Sequence, residues 1–148
     1  MPLQFNETQL NQISYRVIGL AMQVHRELGP GLLESAYEEC LVYELRAAGF
    51  VIDQQKPCPV RYRGVVLECG YRIDIVVADA LIVEVKSVQE LLPVHRAQIL
   101  TYMKLDQKPL GLLINFNVPL LKDGIERLIV GPLVQAGLTG SSVAPALH

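Results

Sequence analysis

No apolar run in the 148 residues reaches the roughly 18 needed to span a bilayer. The opening "MPLQFNETQL" lacks the basic and apolar regions of a secretory signal. The expectation is a cytoplasmic protein that does not enter a membrane. Cysteine is scarce: Cys40, Cys58 and Cys69 are odd in number, scattered, and form no CxxC pair. That argues against a zinc ribbon or a redox motif and favours reduced, partly buried thiols. A strong excess of charge of either sign is missing too. The net charge of −2 does not advertise a basic nucleic-acid module. There are no internal repeats and no shift of composition that would mark a second domain.

What is present is enough apolar residue for one core, since 51% of the chain is hydrophobic and its length suits a single domain. Residues 1–131 are expected to form that domain. Residues 132–148, rich in Gly, Ser, Ala and Pro, are expected to fray, or to dock on the domain or on a second copy. A homodimer or protein partner therefore stays open. Charge is unevenly spread: residues 1–55 hold three basic and seven acidic side chains, whereas residues 56–108 hold eight and six.

Leu10, Ile13, Val17, Leu20, Val24 and Leu28 recur with helical period over residues 8–28. Asn6 followed by Gln9 matches a capping box, and "LGPG" at 28–31 stops the helix. A second helix over about 32–48 ends at Gly49. The period then changes to two, with β-type runs near 51–54, 59–63, 65–77 and 80–86. "YRGV" at 62–65 predicts a hairpin turn with Gly64 at positive φ. Residues 92–108 are helical again, with Pro93 in the first turn. "LGLLINF" at 110–116 is a buried strand, and 125–131 is a short strand or a helix. The helix 92–108 is long enough for a crossover between parallel strands, which predicts a mixed sheet with helices packed on it.

The residues with chemistry stand in "YRIDIVVADALIVEVKS" at 71–87. Charge inside a sheet is costly unless it is paired or binds something. A hairpin turn centred on Asp79 places Asp74 directly opposite Glu84, and Lys86 joins them on one face. Two opposed carboxylates repel, and a cation relieves that. With the backbone carbonyl of Val85 they offer hard oxygen ligands, suited to Mg²⁺ or Mn²⁺ rather than zinc. Lys86 beside them could orient a water or steady negative charge on a phosphate. The competing reading is a solvated edge hairpin whose lysine pairs with the acids. The bare pattern arises by chance in on the order of one chain in ten, so it does not decide alone.

Two helices add candidates. Gln98 and Tyr102 share a face of the helix 92–108, with His95 one turn earlier. They form either a polar edge or part of a site. Glu34 lies at the margin of the second helix's apolar stripe, where a first-turn glutamate also suits the helix dipole. Glu38, Glu39 and Glu44 are taken as mostly solvated, and His25 as structural.

"GLLESAY" at 31–37 matches Gly-x-x-Glu-x-x-Tyr. Together with "VHRELGPGLLESAYEECLVYELRAAG", "CGYRIDIVV", "IVEVKS", "LLPVHRAQILTYMKL" and "GLLINFNVPLLKDGI", it resembles the GxxExxY proteins over residues 13–128. These belong to the PD-(D/E)XK nuclease-like superfamily. The resemblance implies a restriction-endonuclease-like αβββαβ core, an α/β fold with an extra N-terminal helix and a mixed central sheet flanked by helices. It implies metal binding by Asp74, Glu84 and Glu34, with Lys86 assisting attack of water on a phosphodiester. Gln98 and Tyr102 match the Gln-x-x-x-Tyr of the RecB-like branch, and His95 becomes a candidate substrate contact. The proline that often precedes the aspartate is Ile73 here. The implied activity is a Mg²⁺- or Mn²⁺-dependent nuclease acting on DNA or RNA. Two alternatives stand beside it: a binding or regulatory protein that keeps the fold, and a hydrolase of a small phosphate ester.

Overall fold

The computed structural model describes residues 5–130 and 146–147. Helix α1 (Glu7–Leu28) begins as the capping box requires. The Asn6 side chain accepts the Gln9 amide at 2.8 Å and the Gln9 side chain accepts the Asn6 amide at 2.9 Å. It ends at Gly29 in the left-handed region, φ +67°, where a residue without Cβ is favoured. Helix α2 (Glu34–Ala47) starts two residues later than expected. The reason is local: the Tyr37 hydroxyl accepts the Leu32 amide and donates to the Gly29 carbonyl, holding residues 29–33 as a loop.

Strands β1 (Ile52–Pro57), β2 (Val60–Tyr62), β3 (Val65–Leu67), β4 (Arg72–Val77) and β5 (Leu81–Lys86) follow. The run expected at 65–77 is broken in two. Gly70 takes φ +80°, and residues 68–71 leave the sheet between β3 and β4. Strands β2 and β3 make a ribbon of their own. Its turn lies at Arg63 and Gly64, φ +51° and +80°, the doubly positive pair of a two-residue hairpin.

Helix α3 (Pro93–Leu105) crosses over to β6 (Leu110–Asn115), which runs parallel to β5. The helix stops three residues short of the expected 108, where Gln107 turns left-handed at φ +56°. The segment 125–131 is ambiguous in sequence; its described part forms strand β7 (Ile125–Ile129), antiparallel to β6, and residue 131 lies outside the described residues. Of the expected tail, only Ala146–Leu147 is described, pairing with β7 as β8. The rest lies outside the described residues.

The mixed main sheet has the order β1-β4-β5-β6-β7-β8. Elements α2, β1, β4, β5, α3 and β6 supply the αβββαβ core, with α1 added before it. The two faces are sorted by alternation. Leu81, Val83 and Val85 of β5, with Leu110, Leu112 and Ile114 of β6, form one core with α1 and α2. Ile82 and Leu113 face the other way, onto Ile99, Tyr102 and Met103 of α3. Gly111 lets that helix come close, since a Cβ there would sit 2.6 Å from the Met103 sulfur.

Candidate active site

The β4–β5 pairing runs Val77↔Leu81, Val76↔Ile82 and Ile75↔Val83. That is the register expected from a turn at Asp79, and Ala78 and Asp79 take the positive φ the turn needs. The next pair in that register is Asp74 with Glu84. Here side chains replace the ladder. The Glu84 carboxylate accepts the Asp74 amide at 2.8 Å, and the Asp74 carboxylate accepts the Val85 amide at 2.9 Å.

This exchange brings two carboxylates together in a poorly solvated place. Glu84 is 3% exposed. Burial first, then the Asp74 charge, push its carboxyl up to about 8, against the Asp74 amide and the Lys86 ammonium. Asp74 is also raised, chiefly by burial, while the Val85 amide pulls it down. Burial and mutual repulsion both disfavour the doubly ionised pair, and a positive charge placed between the two acids would offset that cost.

Lys86 reaches the same face, and its Nζ donates to Gln98 Oε1 at 3.1 Å. Gln98 Nε2 then donates to the Tyr102 hydroxyl at 3.3 Å. The polar stripe of α3 is therefore joined to the lysine. Burial and the nearby Glu84 raise the Tyr102 phenol, which keeps it a neutral hydrogen-bonding group.

The turn after Lys86 is held from both sides. The Glu34 carboxylate accepts the Ser87 amide at 3.3 Å, and the Ser87 hydroxyl donates to the Leu32 carbonyl. From the end of β6, buried Asn115 accepts the Val88 amide and donates to the Val88 carbonyl, each at 3.0 Å. Tyr37 is fully buried and stacks on Phe116 with centroids 4.6 Å apart. The three residues of "GLLESAY" thus have separate tasks. Gly31 takes φ +102°, Glu34 meets the turn beside Lys86, and Tyr37 anchors the loop.

His95 Nδ1 accepts the Leu92 amide at 2.9 Å and so caps α3. His25 is buried and bonds the Val118 carbonyl at 2.8 Å. Among the described residues, no group of three or more His, Cys, Asp or Glu side chains is close enough to hold an ion. The carboxylates that meet are Asp74 and Glu84. Their hard oxygens are the donor type that suits a divalent cation.

Two residues escaped the sequence reading. Glu38, expected in solvent, is 8% exposed. It accepts the side-chain amides of Gln54 at 2.9 Å and Gln55 at 2.8 Å. One helical turn after Glu34, it lies on the same face, and that spacing was the available signal. Gln55 donates to Asp74 Oδ1 at 3.2 Å as well, and nothing in its sequence neighbourhood pointed to it.

A family model described as the PD-(D/E)XK nuclease superfamily matches residues 11–128. Comparison with curated proteins and with solved structures finds no match.

Proposed function

The chain belongs to the PD-(D/E)XK nuclease superfamily, and from that premise we propose that it is a cytoplasmic nuclease that uses Mg²⁺ or Mn²⁺ to hydrolyse phosphodiester bonds. The observation that carries the reading is the open end of the β4–β5 hairpin. There Asp74 and Glu84 face each other in place of a backbone ladder, with Lys86 on the same face.

Asp74, Glu84 and the Val85 carbonyl would hold the cation, and Glu34 stands at the adjoining turn as a further acid. Such a cation supplies Lewis acidity toward a phosphoryl oxygen and a bound water of lowered pKa. Lys86 positions the attacking water and faces the charge that grows on the phosphate. Gln98 holds the ammonium in place from α3, and Tyr102 holds Gln98. The Gln98–Tyr102 pair supports the RecB-like branch, and Gly31, Glu34 and Tyr37 support the GxxExxY group.

Nucleic acid as substrate gains support from the β2–β3 ribbon. Arg61, Arg63 and Arg72 lie on it or at its root, and every residue from 61 to 72 is exposed. Tyr62 and Tyr71 are exposed with them, and Tyr71 meets Tyr102 edge-on at 6.5 Å. Arginines for phosphates and tyrosines for bases thus lead from the ribbon to the site.

Calorimetric titration with Mn²⁺ on wild type and Asp74→Ala tests the cation site; equal heats in both would sink it. Incubation of single-stranded, duplex and branched DNA and RNA with Mn²⁺ tests turnover and chooses between DNA and RNA. Cleavage by Lys86→Ala at the wild-type rate would assign the activity elsewhere. Binding of nucleic acid without cleavage by wild type would favour a binding protein built on the same fold.

A further inference from the structure

We propose that Gln55, anchored by Glu38, is a positioning residue for Asp74, and so for the cation that the nuclease reading places there. Strand β1 pairs with β4 through Ile52↔Val77, Asp53↔Val76, Gln54↔Ile75, Lys56↔Ile73 and Pro57↔Arg72. The pair missing from this register is Gln55 with Asp74. At that point the backbone of Gln55 takes φ +54°, a left-handed conformation that a glutamine avoids. Strain of this kind inside a strand persists only where surrounding contacts impose it, and it gathers at functional sites.

The contacts are clear. The twist aims the Gln55 side chain at two carboxylates. Its Nε2 donates to Glu38 Oε2 at 2.8 Å, to Glu38 Oε1 at 3.1 Å and to Asp74 Oδ1 at 3.2 Å. Gln54 Nε2 also donates to Glu38 Oε2 at 2.9 Å, and to Glu39 Oε2 at 2.8 Å. Asp74 is therefore gripped at both oxygens: Oδ2 by the Val85 amide and Oδ1 by the Gln55 amide. Each oxygen keeps a further lone pair for a cation.

An amide placed between two acids lets both stay close to the site without meeting directly. Partners that orient metal ligands in this manner typically contribute ten- to a hundredfold in metal affinity.

The test uses Gln55→Gly, Glu38→Gln and the double variant of the full chain. Mn²⁺ affinity is measured by calorimetry and the melting temperature without metal. Glycine accepts positive φ, so Gln55→Gly relieves the backbone while deleting the amide. The expected result is a Kd at least about tenfold weaker with an undiminished melting temperature. Glu38→Gln should weaken Mn²⁺ less, and the double variant should be no weaker than Gln55→Gly, since the two act as one unit. A Gln55→Gly Kd within about twofold of wild type overturns the inference, and so do losses that add in the double variant. If wild type takes up no Mn²⁺, the nuclease reading itself fails and this inference falls with it.

Discussion

The two ends of the β4–β5 hairpin use the same register for different purposes. At the turn end, Val77, Leu81 and Val83 are completely buried, and the strands are joined by backbone pairs. At the open end the strands are joined by carboxylates that accept main-chain amides. The turn end gains from burial and loses nothing to charge. The open end keeps two raised acids against each other, a local cost that a cation can remove. One ribbon thus places apolar burial at one end and its opposed acids at the other.

Variants at the two ends should behave oppositely. The largest effect is expected at the open end, where Asp74→Ala and Lys86→Ala should each lower cleavage at least about a hundredfold, the scale of losing an electrostatic or proton-transfer group. Single-turnover assays on a labelled strand check this. At the turn end, Leu81→Ala should cost about 2–5 kcal/mol of stability by leaving a cavity in the α1/α2 core. Urea unfolding measures that, and the Mn²⁺ affinity of the folded fraction should not move.

The pH response of the metal-free protein should also belong to the open end. Between the ordinary carboxyl range and about 8, the folded protein holds a proton on Glu84 that the unfolded chain has released. Stability should therefore be full below the ordinary carboxyl range, fall as pH rises across that window, and level off above about 8. Glu84→Gln should flatten the fall, and so should saturating Mg²⁺. Melting curves from pH 5 to 9 read both.

Away from the hairpin, replacing Arg61 and Arg63 by Ala should weaken nucleic-acid binding evenly across sequences. It should reduce the salt slope by about two, one per lost phosphate contact. Fluorescence anisotropy at several salt concentrations checks this, and Mn²⁺ affinity should stay unchanged. The smallest effect is expected from Tyr37→Phe, roughly 1 kcal/mol for the hydrogen bonds that pin residues 29–32, read by urea unfolding.

Much of this was legible beforehand because it depends on short-range rules. Asn6 and Gln9 announce the start of α1, and Arg63-Gly64 announces a turn. Alternation along "IVEVK" sends Glu84 and Lys86 to one face. The errors have two sources: a local breaker inside a β-type run, and neighbours in space that overrule neighbours in sequence. The split of 65–77 came from Gly70 sitting in a run that otherwise reads as β. The late start of α2 came from a tyrosine eight residues after Gly29 reaching back to its carbonyl. Glu38 looked like a solvated helix acid because Gln54 and Gln55, sixteen and seventeen residues on, are invisible to helical period.

The sequence by itself determined the order of the core elements, the hairpin register and the meeting of Asp74 with Glu84. All three follow from periods of two and 3.6 and from turn chemistry, which act over a few residues. The tertiary structure alone decided how that meeting is managed. It buried Glu84, linked Lys86 to α3 through Gln98, and turned Gln55 left-handed within its strand, where its amide meets Asp74. Those outcomes depend on which side chains from distant segments share one desolvated space, and desolvation and charge act through space rather than along the chain.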